Sequence, residues 1–127
     1  MDGKLGANLR GDAPSLVSIC IPAYNAGHVL GLALSSILAQ TWPSLEIILI
    51  DDGSTDDTSE VVRSVVDTRV VAVRNEKNRG GYQTMNQAVS LARGDFVAIY
   101  HADDVYEPTI VEKEASYLQS HPEVGAV

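Results

Sequence analysis

Two pairs of adjacent aspartates carry the most distinctive chemistry in this chain: Asp51 with Asp52, and Asp103 with Asp104, the second pair closely preceded by His101. Carboxylates gathered at one place repel each other, and some must take up protons unless a cation or solvent offsets the charge. A divalent metal is the economical resolution. Mg2+ and Mn2+ prefer oxygen ligands and are commonly held by one or two carboxylates together with substrate phosphates, so such an ion would let an acidic chain accept a diphosphate. Each pair also has a purely local reading: Asp51-Asp52-Gly53-Ser54 is favourable turn chemistry, and Asp103-Asp104 can simply solvate a loop. Other familiar site chemistries are missing. The turn Pro22-Ala23-Tyr24-Asn25 has neither the glycine pattern of a dinucleotide fold nor a phosphate loop with its lysine. A serine elbow, a helical zinc motif and paired cysteines are absent, and His28, His101 and His121 lie far apart in the sequence.

For the two pairs to act together, the elements before them must deliver them to one edge of a common scaffold. From Ser15 onward, short β-branched runs alternate with stretches of helical period, which is the rhythm of βαβ units in a parallel sheet. Strands are expected at residues 16–21, 45–50, 70–73 and 96–100. The near-continuous apolar run 45–50 reads as a strand covered on both faces. Leu30, Leu34, Ile37 and Leu38 recur at helical spacing up to Gln40, and Trp42 and Pro43 stop that helix. Ser54 or Thr55 is placed to cap a second helix through about Val66, with Asp56 and Asp57 in a first turn where the helix dipole favours negative charge. Residues 74–81 form a polar loop, 82–92 a third helix ended by Arg93 and Gly94, and Pro108 opens a fourth whose buried side is marked by Val111, Ala115 and Leu118. Residues 123–127 begin a further extended segment. In a parallel sheet all these aspartates fall just past the carboxyl ends of strands, on the edge where open α/β sheets bind ligands.

The 127 residues make one domain, from 15 to 127, with 1–14 as a loose lead-in. Apolar residues at 45% and charged residues at 20% support a packed core and exclude wholesale disorder. Lys and Arg number 9 against 17 Asp and Glu, a formal net charge of −8 that argues against nucleic acid or an anionic membrane as a nonspecific partner. The lead-in carries Lys4 and Arg10 but no continuous apolar stretch, so it is neither a signal peptide nor a membrane anchor, and no membrane segment is expected in this chain. Cys20 is the single cysteine and sits in an apolar run, which reads as a small buried side chain in a reducing, cytoplasmic setting. Trp42 and Tyr82 read as packing residues rather than sugar platforms. Arg74, Lys77 and Arg79 form a local basic cluster that reads as a solvated loop.

Three stretches together resemble the family 2 glycosyltransferases of the GT-A fold: Val17-Ser18-Ile19-Cys20-Ile21-Pro22-Ala23-Tyr24-Asn25, then Ile50-Asp51-Asp52-Gly53-Ser54-Thr55-Asp56, then Arg93-Gly94-Asp95-Phe96-Val97-Ala98-Ile99-Tyr100-His101-Ala102-Asp103-Asp104. They follow the family's order and spacing, and the resemblance runs from about Ser15 to Val127. It implies a Rossmann-like α/β fold, mostly parallel, with helices on both faces of the sheet and the C-terminus cut short. It also implies inverting transfer of a sugar from a UDP-, GDP- or dTDP-linked donor to a hydroxyl of a saccharide, lipid or protein acceptor, in cell-envelope or polysaccharide biosynthesis. On this resemblance Pro22, Ala23, Tyr24 and Asn25 line the nucleotide pocket, and Asp52 accepts a hydrogen bond from the base with Asp51 beside it. Asn78, Gly80, Gly81 and Asn86 belong to the loop and helix beneath the donor. Asp103, with Asp104 next in line, holds the Mg2+ or Mn2+ that bridges the diphosphate, and His101 and Ala102 complete that motif.

One position departs from the family pattern. The Asp-X-Asp motif starts with aspartate, and here that position is His101, whose imidazole can bond a ribose hydroxyl or a phosphate but adds no negative charge. The general base that would deprotonate the acceptor is expected beyond Val127, so the chain reads as the donor-binding portion of a longer protein, with little transfer activity alone. Two other readings stay open. One is a noncatalytic nucleotide-sugar or carbohydrate-binding module in which His101 marks loss of chemistry. The other is a response-regulator-like doubly wound domain, which the Pro-Ala-Tyr-Asn turn and the second aspartate pair disfavour.

Overall fold

The computed structural model describes residues 13–127, so most of the expected lead-in lies outside the described residues. Strands and helices alternate as β1 (Val17–Ala23), α1 (Gly27–Leu38), β2 (Leu45–Asp51), α2 (Thr58–Arg63), β3 (Val70–Arg74), α3 (Gly81–Leu91), β4 (Phe96–Ile99) and α4 (Ile110–Ser120). The sheet runs β3-β2-β1-β4 with every pair parallel. Chain order therefore marches outward from β1 to β3 and then reverses to place β4 on the other side of β1. That reversal is the point at which open α/β sheets form a ligand crevice.

Every residue of β2 is buried, as expected of a central strand covered on both faces. Ile19, Ile21, Ile47 and Leu49 point to the larger core, where Leu30, Leu34 and Ile37 of α1, Val62 of α2, and Val111 and Ala115 of α4 meet them. Cys20, Ile48 and Ile50 point the other way, against Ala88 of α3. Helices thus cover both faces. Burial pushes the Cys20 thiol up to about 11, which suits an inert packing role. Trp42 is buried in the larger core and donates its indole N–H to Ser15 O at 2.9 Å.

Several local expectations are corrected. Helix α2 ends at Arg63 instead of near Val66, which is 92% exposed. The chain is diverted there by a turn in which Asp67 accepts from Arg69 N–H at 2.9 Å and pairs with its guanidinium. Neither Ser54 nor Thr55 caps α2, which begins at Thr58 with no side-chain bond from its N-cap residue Asp57. Tyr82 is 92% exposed at the start of α3, so it packs against nothing among the described residues, because the inward positions of that helix are Thr84 and Ala88. Residues 123–127 form no strand; a turn that brings Val124 N–H to His121 O at 2.9 Å leads into them.

A polar lock sits at the amino-terminal edge of the sheet, away from the aspartates. Glu46 of β2 is buried and accepts Ser18 Oγ–H at 2.6 Å, Arg93 N–H at 2.6 Å and Arg93 Nε–H at 3.0 Å, while Gly94 N–H donates to Ser18 Oγ at 2.8 Å. This ties the entrance of β4 to β1 and β2. A Cβ on Gly94 would lie 2.6 Å from Ser18 Oγ and 2.7 Å from Leu16 O, whereas one on Gly31 in α1 meets nothing within 4 Å. Gly94→Ala is expected to destabilise the chain by about 1–3 kcal/mol through overpacking. Gly31→Ala should be neutral or stabilising by up to about 1 kcal/mol. Urea midpoints at unchanged slope would report both.

Candidate functional site

The turn after β2 is built from its own carboxylates. Asp51 is buried; its Oδ1 accepts Ser54 N–H at 3.0 Å and its Oδ2 pairs with Arg74 at the end of β3. Asp52 N–H donates to Ala23 O at 2.8 Å, joining the ends of β2 and β1. Gly53 has φ 74°, and a Cβ there would lie 2.7 Å from Asn78 N, so only glycine lets the loop 75–80 close over the turn.

Asp52 draws that loop in. Its carboxylate, also buried, accepts Asn75 Nδ2–H at 2.9 Å, Arg79 N–H at 2.9 Å and Gly80 N–H at 3.0 Å. Asn78 donates to Asp52 O at 3.3 Å, and Asn75 and Gln87 exchange a reciprocal pair of bonds, each 2.9 Å. Burial alone would raise the Asp52 carboxyl, but the bonds from Asn75, Arg79 and Gly80 outweigh it and hold the group below its ordinary value. The buried Thr84 hydroxyl lies close enough to contribute, though it completes no well-formed hydrogen bond. A carboxylate has about four acceptor positions, so Asp52 reaches any ligand with most of its capacity already in use. Asn75, Gln87 and Arg74 were not singled out from sequence as site residues. Asn75 had a usable signal, since it directly follows β3 on the ligand-binding edge.

The turn after β1 leans on the turn after β2. Asn25 adopts φ 48°, a left-handed conformation that asparagine tolerates better than most residues. Its N–H donates to Ser54 Oγ at 3.0 Å, and its Oδ1 accepts Thr55 N–H at 2.8 Å and Asp56 N–H at 3.3 Å. The first amides of α1 are likewise met from the α2 side: Ala26 N–H by Thr58 Oγ1 at 2.8 Å, and Gly27 N–H by Asp56 Oδ2 at 3.1 Å. Ser54 therefore serves Asn25, and Asp56 serves the start of α1.

A cleft of about 430 Å³ opens where the sheet order reverses, between the turns that follow β1 and β4. Pro22, Tyr24 and Asn25 line one side and His101, Ala102 and Asp103 the other. His28, read from sequence as remote, lines the same cleft because α1 starts just after β1 and β4 lies beside β1 in the sheet. Ala23 and Ala102 are buried, while His101, Asp103 and Asp104 are exposed. Asp51, Asp52, Asn78 and Gly80 form the adjoining β2–β3 wall and do not line the cleft itself. Gly81 opens α3, and Asn86 is exposed on it. A larger cavity of about 490 Å³ between β4 and α4 contains none of these residues. Among the described residues no three His, Cys, Asp or Glu side chains converge into a self-sufficient metal site. An exposed aspartate pair beside a cleft suits instead an oxygen-seeking ion that takes one or two carboxylates and completes its shell from phosphates and water.

The sequence model of glycosyl transferase family 2 matches residues 18–127, and the chain belongs to this family. It is 32% identical over 105 residues to the Escherichia coli UDP-Glc:alpha-D-GlcNAc-diphosphoundecaprenol beta-1,3-glucosyltransferase WfaP, covering 83% of this chain and 42% of that protein. It is 36% identical over 99 residues to the glycosyltransferase GlyG of Streptococcus pneumoniae, covering 76% of this chain and 33% of that one. Among solved structures, S. aureus TarS 1–349 in complex with UDP-GlcNAc superposes with a TM-score of 0.79 at 27% identity, over 84% of this chain and 32% of TarS 1–349. The Pyrobaculum calidifontis mannosyltransferase PcManGT, in complex with GDP-Man and Mn2+, gives 0.73 at 27% identity, over 86% of this chain and 33% of the enzyme. The fold is thus the Rossmann-like GT-A arrangement, and the chain spans between a third and about two fifths of the length of these curated relatives. No helix among the described residues is long and apolar enough to cross a membrane.

The buried carboxylates make stability depend on acid. For Glu46 burial acts to raise the group, yet bonds from Ser18 and Arg93 hold it below its ordinary 4.5, and Asp52 is held below 3.8. A depressed carboxylate contributes stability that is fully present above its unfolded value and is lost as pH falls through the folded one. The urea midpoint is expected to hold from pH 7 down to about 5 and to fall below about 4. Asp52→Asn, which turns an amide toward the Arg79 and Gly80 N–H groups, should lower neutral-pH stability by about 1–3 kcal/mol and flatten the acid fall.

Proposed function

We propose that this chain is the donor- and metal-binding portion of an inverting glycosyltransferase that uses a nucleotide-diphosphate sugar. The observation that carries this reading is the cleft at the sheet reversal, lined by the Pro22–Asn25 turn on one side and Asp103 on the other. The UDP-GlcNAc held by TarS and the GDP-Man and Mn2+ held by PcManGT support a donor of this class. The nucleotide lies against the turn after β1, with Ala23 and Asn25 contributing backbone and Tyr24 its half-exposed ring. Asp52 offers its remaining acceptor position toward the base and, through the Arg79 and Gly80 amides, holds Asn78, Gly80 and the start of α3 beneath the donor, with Asn86 farther along that helix. Asp51 keeps the turn closed through Ser54 and Arg74. His101 bonds a ribose hydroxyl or a phosphate oxygen.

Asp103, with Asp104 beside it, would hold Mg2+ or Mn2+, which when bound neutralises the diphosphate leaving group. The acceptor hydroxyl oxygen forms the new bond to the anomeric carbon on the face opposite the breaking bond to the diphosphate. Its proton passes to a general base, assigned to polypeptide beyond Val127.

The test is calorimetric titration of UDP, GDP and dTDP into the purified chain, with Mn2+ and with chelator. One nucleotide is expected to bind only with Mn2+, and Asp103→Ala should weaken it by about tenfold or more while leaving the thermal midpoint near the wild-type value. Chelator-insensitive binding would fit a noncatalytic module instead. A folded chain that binds none of the three overturns the donor-site reading.

A further inference from the structure

The loop 101–107 joins β4 to α4 without regular secondary structure, and its His101, Asp103 and Asp104 are exposed. Holding such a segment in one geometry opposes its conformational entropy, so specific contacts must define it. Its far end is tied to α1 and the residues after it. Tyr106 N–H donates to Ser36 Oγ at 3.0 Å, and Gln40 Nε2–H donates to Glu107 O at 2.8 Å. Its near end extends β4, with Tyr100 N–H donating to Cys20 O at 3.0 Å. Between these anchors the backbone supplies one long contact, Asp104 N–H to His101 O at 3.4 Å.

The Tyr106 side chain spans that gap. Its ring stacks on Tyr100 with centroids 3.9 Å apart and planes 10° from parallel. Its hydroxyl oxygen accepts His101 N–H at 2.7 Å. A phenol that accepts still has its own proton to donate, and Asp104 Oδ2 stands at 3.5 Å. We propose that Tyr106 is a positioning residue for the aspartate pair: its hydroxyl pins the His101 end of the loop and faces Asp104 outside the cleft, leaving Asp103 as the carboxylate presented to the cleft. The loop geometry stands on these contacts, while its consequence for binding rests on the donor-site reading above. Phenylalanine would keep the stack on Tyr100 and lose both hydroxyl contacts.

Hydrogen exchange of the His101 amide, followed by NMR, is compared in the wild-type chain and Tyr106→Phe, alongside titration of UDP, GDP and dTDP with Mn2+. In Tyr106→Phe the amide should exchange about fivefold faster or more, and the Mn2+-dependent nucleotide affinity should fall by about fivefold, the size of one neutral hydrogen bond. Asp104→Asn, which keeps an acceptor for the phenol, should lose less affinity than Asp103→Asn. Unchanged His101 exchange overturns the proposal, and so does faster exchange with unchanged affinity, which would leave Tyr106 a merely structural role. Equal losses at Asp103 and Asp104 overturn the division between them. A wild-type chain that binds no nucleotide removes the donor-site reading alone, and the His101 exchange rate then decides the loop contact by itself.

Discussion

The buried Asp52 carboxylate is the constraint around which the carboxyl edge of the sheet is assembled. An ionised group taken out of water is costly unless hydrogen bonds replace its hydration, and here the replacements come from Asn75, Arg79 and Gly80, which are separated from it along the chain. Satisfying one side chain therefore fixes the path of the β3–α3 loop. Asp51 acts in parallel on Ser54 and Arg74, and the Asp52 amide binds the end of β1. The ends of β1, β2 and β3 are in this way held by a single turn.

The other wall of the cleft has a different origin. β4 is joined to β1 by backbone pairing over Phe96–Ile99 and by the Glu46, Ser18 and Arg93 lock at its entrance. Its exit carries the acidic loop, steadied by the Tyr100–Tyr106 stack. One wall thus rests on a hydrogen-bonded turn whose buried carboxylates are largely satisfied from within, while the other presents exposed carboxylates. Charge available to a ligand is concentrated on the β4 side, and shape on the β1 side.

Much of this was legible in the sequence because the buried parallel strands leave uninterrupted apolar runs. The run at Leu45–Ile50 admits few readings other than a covered central strand, and the parallel direction of the strands places both aspartate pairs on one edge. The local reading of Asp51 and Asp52 as turn formers holds, since both carboxylates are engaged in closing the turn and the loop beside the cleft. Less legible were contacts made across the chain. His28 joins the cleft only because β4 pairs beside β1 and brings residues 101–103 to the start of α1, and Asn75 and Gln87 matter only through each other and Asp52. Val65 and Val66 continue the apolar pattern of α2 beyond its last turn, and what interrupts it is local hydrogen bonding between Asp67 and Arg69 rather than a break in period. Tyr82 shows the converse: an aromatic residue in a helical pattern whose face no other element among the described residues covers.

The position of Cys20 has one more consequence. It is the chain's single thiol, fully enclosed at the middle of β1 beneath α3 and flanked by both neighbouring strands. A thiol reagent cannot reach it while the sheet is intact. Its rate of alkylation therefore counts openings of the scaffold itself and ignores movements of the loops at the carboxyl edge, so the fold carries a chemical clock that is silent about the cleft.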